Sequence, residues 1–158
     1  MKAATVNEIK TALESLSHPQ LEALCLRFVK FRKENKELAT FMLFESDNLN
    51  GYIQEAVSEM EAGFAAINKS NLYIAKKSLR KLLREANKHI RYTGSKTAEV
   101  ELLTAWCRLL RKSGIAFDRS TTLLNLYHSQ FKKIRKTIEG LHEDLQRDYT
   151  RALDQLAK

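Results

Sequence analysis

Residues 71–92 read NLYIAKKSLRKLLREANKHIRY, and their spacing predicts an amphipathic helix. At about 100° per residue, Leu72, Ala75, Leu79, Leu82, Leu83, Ala86 and Ile90 fall within an arc of about 100°, the width of a core-facing stripe. Lys76, Lys77, Arg80, Lys81, Arg84, Lys88 and Arg91 fill an adjoining arc of about 140°, with Tyr73 in its middle. One face thus has to pack against other helices, and the other face has to meet solvent or anions.

The same helical period runs outward in both directions. Five glycines and one proline in 158 residues are too few for the turns that a sheet needs. A first helix is predicted from Val6 to Leu16, with Thr5 as N-cap and Glu8 in capping-box position. Ser17 and Pro19 open a second, with Leu21, Leu24, Cys25, Phe28 and Phe31 as its stripe. Asn35 breaks the chain before a third helix carrying Leu38, Phe41 and Met42. Asp47 to Gly51 is a turn, and Ile53, Val57, Met60, Phe64 and Ile67 give a fourth helix. Gly94 ends the basic helix. Lys96 to Ser113 forms the next, with Val100, Leu103, Cys107 and Leu110 on one side.

Beyond Ser120, the residues Tyr127, Phe131, Ile134, Ile138, Leu141 and Leu145 make a heptad seam. The seam slips by one residue to Tyr149, Leu153 and Leu156. A continuous helix over about 119–156 would be about 55 Å long, against a radius of gyration near 15 Å for a compact chain of this size. Such a helix has to protrude, bend near Gly140, or pair with a partner. The expected fold is therefore all-α: one domain over 1–158, with six or seven helices in an antiparallel bundle or short α-α superhelix, and a long C-terminal helix.

Charge is unevenly placed. Residues 69–96 hold nine cations and one anion, a balance equal to the +8 of the whole chain. The helical face opposes itself, since Lys76/Arg80, Lys77/Lys81, Arg80/Arg84 and Arg84/Lys88 are like-charged pairs at four-residue spacing, worth about 1–2 kcal/mol of repulsion together. Anions from elsewhere should relieve it. Glu55 and Glu59, or Glu139 and Glu143, are the intramolecular choice.

A nucleic-acid backbone or other polyanion is the intermolecular choice, through Lys76, Lys77, Arg80, Lys81, Arg84, Lys88 and Arg91. Tyr73 is then placed to stack on an unpaired base. Arg108, Arg111, Lys112 and the cluster Lys132 to Lys136 are expected to help. No groove-reading motif accompanies the cations, so the contacts position a backbone and specify no sequence. A lipid surface fits less well, because the apolar arc of this helix has no Trp or Phe.

Catalytic and cofactor chemistry finds no motif. The glycines are scattered singly, so no loop cradles phosphate. Glu139 and His142 have E-x-x-H spacing, but a di-iron bundle needs a second such pair. His128 and His142 lie too far apart to share an ion. Cys25 and Cys107 sit on apolar stripes and are expected to be buried thiols. No stretch reaches the roughly eighteen apolar residues of a membrane span, and residues 1–10 start an amphipathic helix rather than a signal peptide. The expectation is a cytoplasmic, non-enzymatic binding module with no metal and no cofactor. Its alternative is a protein-interaction or scaffold module that forms a homodimer through the C-terminal heptads.

Overall fold

A computed structural model describes residues 2–157, with side chains described to 156. The chain is all-α, as its periodicity requires, and contains no strand among the described residues. The chain divides into two compact units, Met1–Phe44 and Glu45–Lys158.

The first unit holds α1 (Val6–Glu14), α2 (His18–Phe31) and α3 (Lys33–Thr40). The capping box forms as expected: the Glu8 N–H donates to Thr5 Oγ1 at 3.3 Å, and the Thr5 N–H donates to Glu8 Oε2 at 2.7 Å. Two bonds donated to its ionised form, from the Thr5 N–H and from the Thr5 hydroxyl at 2.8 Å, hold the Glu8 carboxyl below its ordinary pKa. The second break falls earlier than Asn35. Arg32 is extended at φ −144° and Asn35 lies inside α3. The Asn35 amide donates back to the Phe28 carbonyl at 2.8 Å, which satisfies a carbonyl in the last turn of α2. Cys25 is exposed, against expectation, because little of this unit is core: Phe41 is its one buried side chain among the described residues.

A π-helical turn (Phe41–Glu45) and a short 3-10 turn (Ser46–Asn48) lead to α4 (Leu49–Ala65). The expected turn at 47–51 is shorter than its composition suggests. Asn48 caps α4 by accepting from the Gly51 N–H at 3.0 Å, so Asn50 and Gly51 already belong to the helix. Then follow α5 (Leu72–Thr93), α6 (Lys96–Lys112), a 3-10 turn (Phe117–Arg119), α7 (Thr121–Ile138) and α8 (Glu143–Ala157). Tyr52 at the start of α4 meets His89 near the end of α5, with Oη 2.7 Å from Nδ1. Glu99 early in α6 likewise meets Lys133 and Thr137 late in α7. Helices α4 and α5 therefore run antiparallel, as do α6 and α7.

The core centres on α6. Val100, Leu102, Leu103, Trp106, Cys107 and Leu110 are all buried, more than the single stripe its spacing suggests. A helix apolar on most sides has to be surrounded, and α4, α5, α7 and α8 all pack on it. Phe64 of α4 sets its ring against Trp106 in a T-shaped contact, with centroids 6.2 Å apart. Burial pushes the Cys107 thiol up to about 12.

The long C-terminal helix is corrected to two. Helix α7 stops at Ile138, and Gly140 and Leu141 turn the chain before α8. The Gln146 amide donates to the carbonyls of Glu139 at 3.2 Å and Leu141 at 2.8 Å, and Lys96 donates to that of Gly140 at 3.0 Å. Carbonyls released by the break are thus satisfied. The one-residue slip in the heptads is the trace of this turn. Tyr127, Ile134 and Ile138 bury on one side of it and Leu153 on the other, leaving Leu145 exposed. Tyr149 fastens α8 to α6 by donating to Glu101 Oε1 at 2.6 Å.

Two outcomes test these contacts. At pH 8 in native buffer a thiol reagent should modify Cys25 promptly and Cys107 only once urea unfolds the chain, giving one thiol and then two in a colorimetric titration. Loss of burial-driven protection at Cys107 under native conditions would contradict the core. Tyr149→Phe should lower stability by about 1 kcal/mol in urea melts, since the bond is partly solvated. Burial, then the Glu101 bond and charge, raise the Tyr149 pKa. The neutral phenol is the folded form, so its stabilisation is whole below the ordinary value of about 10. It is lost as pH rises through that value toward the higher folded one, and protease susceptibility of α8 above pH 10 is the measurement.

Candidate functional site

Helix α5 starts at a neutral cap: Asn71 Oδ1 accepts from the N–H groups of Tyr73 at 3.0 Å and Ile74 at 3.2 Å. It ends where Gly94 takes up the left-handed conformation, φ 59°, which only glycine adopts without cost. Between them the wheel is realised. Ala75, Leu79, Leu83 and Ala86 are buried, and Leu72, Leu82 and Ile90 pack half-buried against the core.

The cations occupy the opposite side. Lys77, Arg80, Lys81, Arg84 and Arg91 are exposed and Lys76 is half-buried. Lys77 places its ammonium 4.6 Å from the centroid of the Tyr73 ring, a cation–π contact that holds the ring at the head of the row. Tyr73 itself is 66% exposed. Lys88 differs from the others. Its side chain is only 19% exposed and pairs with Glu85 at 2.7 Å. The wheel sets Glu85 off the basic arc, but a three-residue separation brings the two together.

The remaining cations have no such relief. Lys76, Lys77, Arg80, Lys81, Arg84 and Arg91 make no ion pair with any described residue. Glu55, Glu59, Glu139 and Glu143, the acids that sequence offers for internal compensation, do not reach them. On one side of the arc stands Asn87, a neutral amide among cations. Its Oδ1 accepts from Lys133 of α7 at 3.1 Å, and the same ammonium pairs with Glu99 at 2.8 Å. This link went unread in the sequence. Its signal was an amide in an arc otherwise basic.

The supporting clusters separate. Helical phase splits Lys132 to Lys136: Lys133 turns to α5, while Arg135 turns to Asp154 of α8 at 3.6 Å. Arg111 donates to the Leu156 carbonyl, and Arg108, Arg111 and Lys112 line an open depression of about 300 Å³ with Gln155 and Leu156. Those three therefore border α8.

A cavity of about 110 Å³ lies beneath the far edge of α5, lined by Glu59, Met60, Leu82, Glu85, His89 and Leu102. Its size suits a few waters rather than a metabolite. Glu139 and His142 fall in the turn between α7 and α8, not on one helical face. No group of three His, Cys, Asp or Glu among the described residues is placed to hold a metal. No helix among the described residues is long and apolar enough to cross a membrane. Compared with protein-family models, curated proteins and solved structures, the chain matches none.

Proposed function

We propose that this protein is a non-enzymatic, cytoplasmic module that binds a polyanion, a nucleic-acid backbone foremost, through the outward face of α5. One observation carries the reading: six cations stand on that face without an ion pair among the described residues. Lys76, Lys77, Arg80, Lys81, Arg84 and Arg91 span about 22 Å of helix at 1.5 Å per residue, so they can follow a run of phosphates. Releasing counterions from that run drives association, and bound phosphates remove the repulsion that the face otherwise bears. Lys88 drops out of the contact set because Glu85 holds it. The alternative, a homodimer through the C-terminal heptads, has less to stand on, since Tyr127, Ile134, Ile138 and Leu153 are buried within the chain.

The test is binding of the full chain to labelled duplex DNA and to RNA across a salt series. Six contacts imply a slope of log K against log salt of about −5 on duplex. The triple variant Lys77→Glu, Arg80→Glu, Arg84→Glu should abolish binding while the circular dichroism of the helices is kept. Lys88→Gln should leave the slope unchanged. Parent protein that fails to retain either nucleic acid at low salt would end the proposal.

A further inference from the structure

The basic face of α5 does not stand alone. Lys133 of α7 reaches across to its edge, with the ammonium 3.1 Å from Asn87 Oδ1 of α5 and 2.8 Å from Glu99 Oε1 of α6. Three helices thus meet at one side chain. Helices α5 and α6 pack together across the short link of Gly94 and Ser95, an antiparallel hairpin, and α6 runs antiparallel to α7. So α5 and α7 run parallel, one on either side of this contact.

Helical phase decides what borders it. At about 100° per residue, Arg80, Arg84 and Arg91 stand within about 60° of Asn87, each turned away from buried Leu83. On α7, Lys136 stands about 60° and Lys132 about 100° from Lys133, both turned away from buried Ile134. The outward turn runs in opposite senses on the two helices, as it must where parallel helices face each other. All five cations are exposed and make no ion pair with any described residue. The acid at the junction is already occupied, since Glu99 Oε1 holds Lys133 and Oε2 accepts from the Thr137 hydroxyl at 3.1 Å.

We infer that α5 and α7 form one two-rowed surface for a nucleic-acid duplex, with the phosphates of one strand on each row. This rests on the polyanion reading of α5 and narrows its ligand. Packed helices stand about 8–10 Å apart, so two that flank a third and share a side-chain contact are about 10–15 Å apart. That is the scale of a duplex groove, about 6 Å across the minor and about 12 Å across the major. A single strand offers one line of phosphates, which α5 alone can serve. A duplex offers two lines at a set separation, and so reaches Lys132 and Lys136 while it occupies α5. Between the rows Asn87 and Lys133 engage each other, which leaves the surface to read backbone and spacing rather than bases.

Salt series with the full chain on single strands and duplexes, each as DNA and as RNA, test it. The six cations of α5 alone give a slope of log K against log salt of about −5 on duplex DNA, and two more from α7 bring it to about −7. Lys132→Gln/Lys136→Gln, at exposed positions, should reduce the slope by about 2 on each duplex that the parent binds and leave single strands unchanged. Arg135→Gln, on the side of α7 that meets Asp154, should alter neither. A lysine pair variant that binds duplex as the parent does, or weakens both forms equally, would overturn the inference. So would a parent that binds single strands only, or an Arg135→Gln chain that loses duplex slope as the lysine variant does. In each of those cases the polyanion reading of α5 stands. Parent protein that retains no nucleic acid at low salt ends that reading and the two-rowed surface with it.

Discussion

Burial of α6 is the constraint on which residues 45–158 depend. Its middle turns present Leu102, Leu103, Trp106, Cys107 and Leu110 in several directions, so no single partner can cover it. Four helices do so together, and each needs only one face for the purpose. Helix α5 is therefore free to carry charge beside its core stripe. Repulsion along that face is about 1–2 kcal/mol. Burying Leu79 and Leu83 alone contributes about 3–6 kcal/mol, which is why the helix forms despite the opposition of its own cations.

Much of this was legible in sequence, and the reason is periodicity. The α5 wheel separated core from charge correctly, because an unbroken 22-residue helix keeps phase along its length. The cap at Thr5 and the stop at Gly94 were legible because they act locally. The errors arose where tertiary contacts decide. Heptads continued across Gly140 as if on one helix, yet Gln146 and Lys96 supply the hydrogen bonds that let the chain turn there. Cys25 sits on a stripe as apolar as that of Cys107, but a stripe is buried only if something covers it.

Charge shows the same division. A count of cations predicts the face, whereas their partners depend on side chains from other turns and other helices. Lys88 is withdrawn by a glutamate of its own helix, and Lys133 is held between Asn87 and Glu99. Wheel angles place a residue but do not say how far a flexible side chain reaches to find an anion. Helical phase also explains why the five residues from Lys132 to Lys136 never act as one patch: neighbours in sequence stand about 100° apart.

The neutral cap at Asn71 has a further effect. A helix carries about half a positive charge at its amino end, and acidic residues in the first turn usually offset it. Helix α5 has none there. Lys76 and Lys77 follow within two turns, and Lys69 precedes the cap. Side-chain charge and peptide dipoles therefore add at this end instead of cancelling. The field of the face is lopsided, steepest beside Tyr73 and falling toward Arg91, where the negative pole begins. If the face binds a polyanion as proposed, the ligand would be drawn first to the amino end and settle along the helix from there, and encounter would have a direction as well as a place.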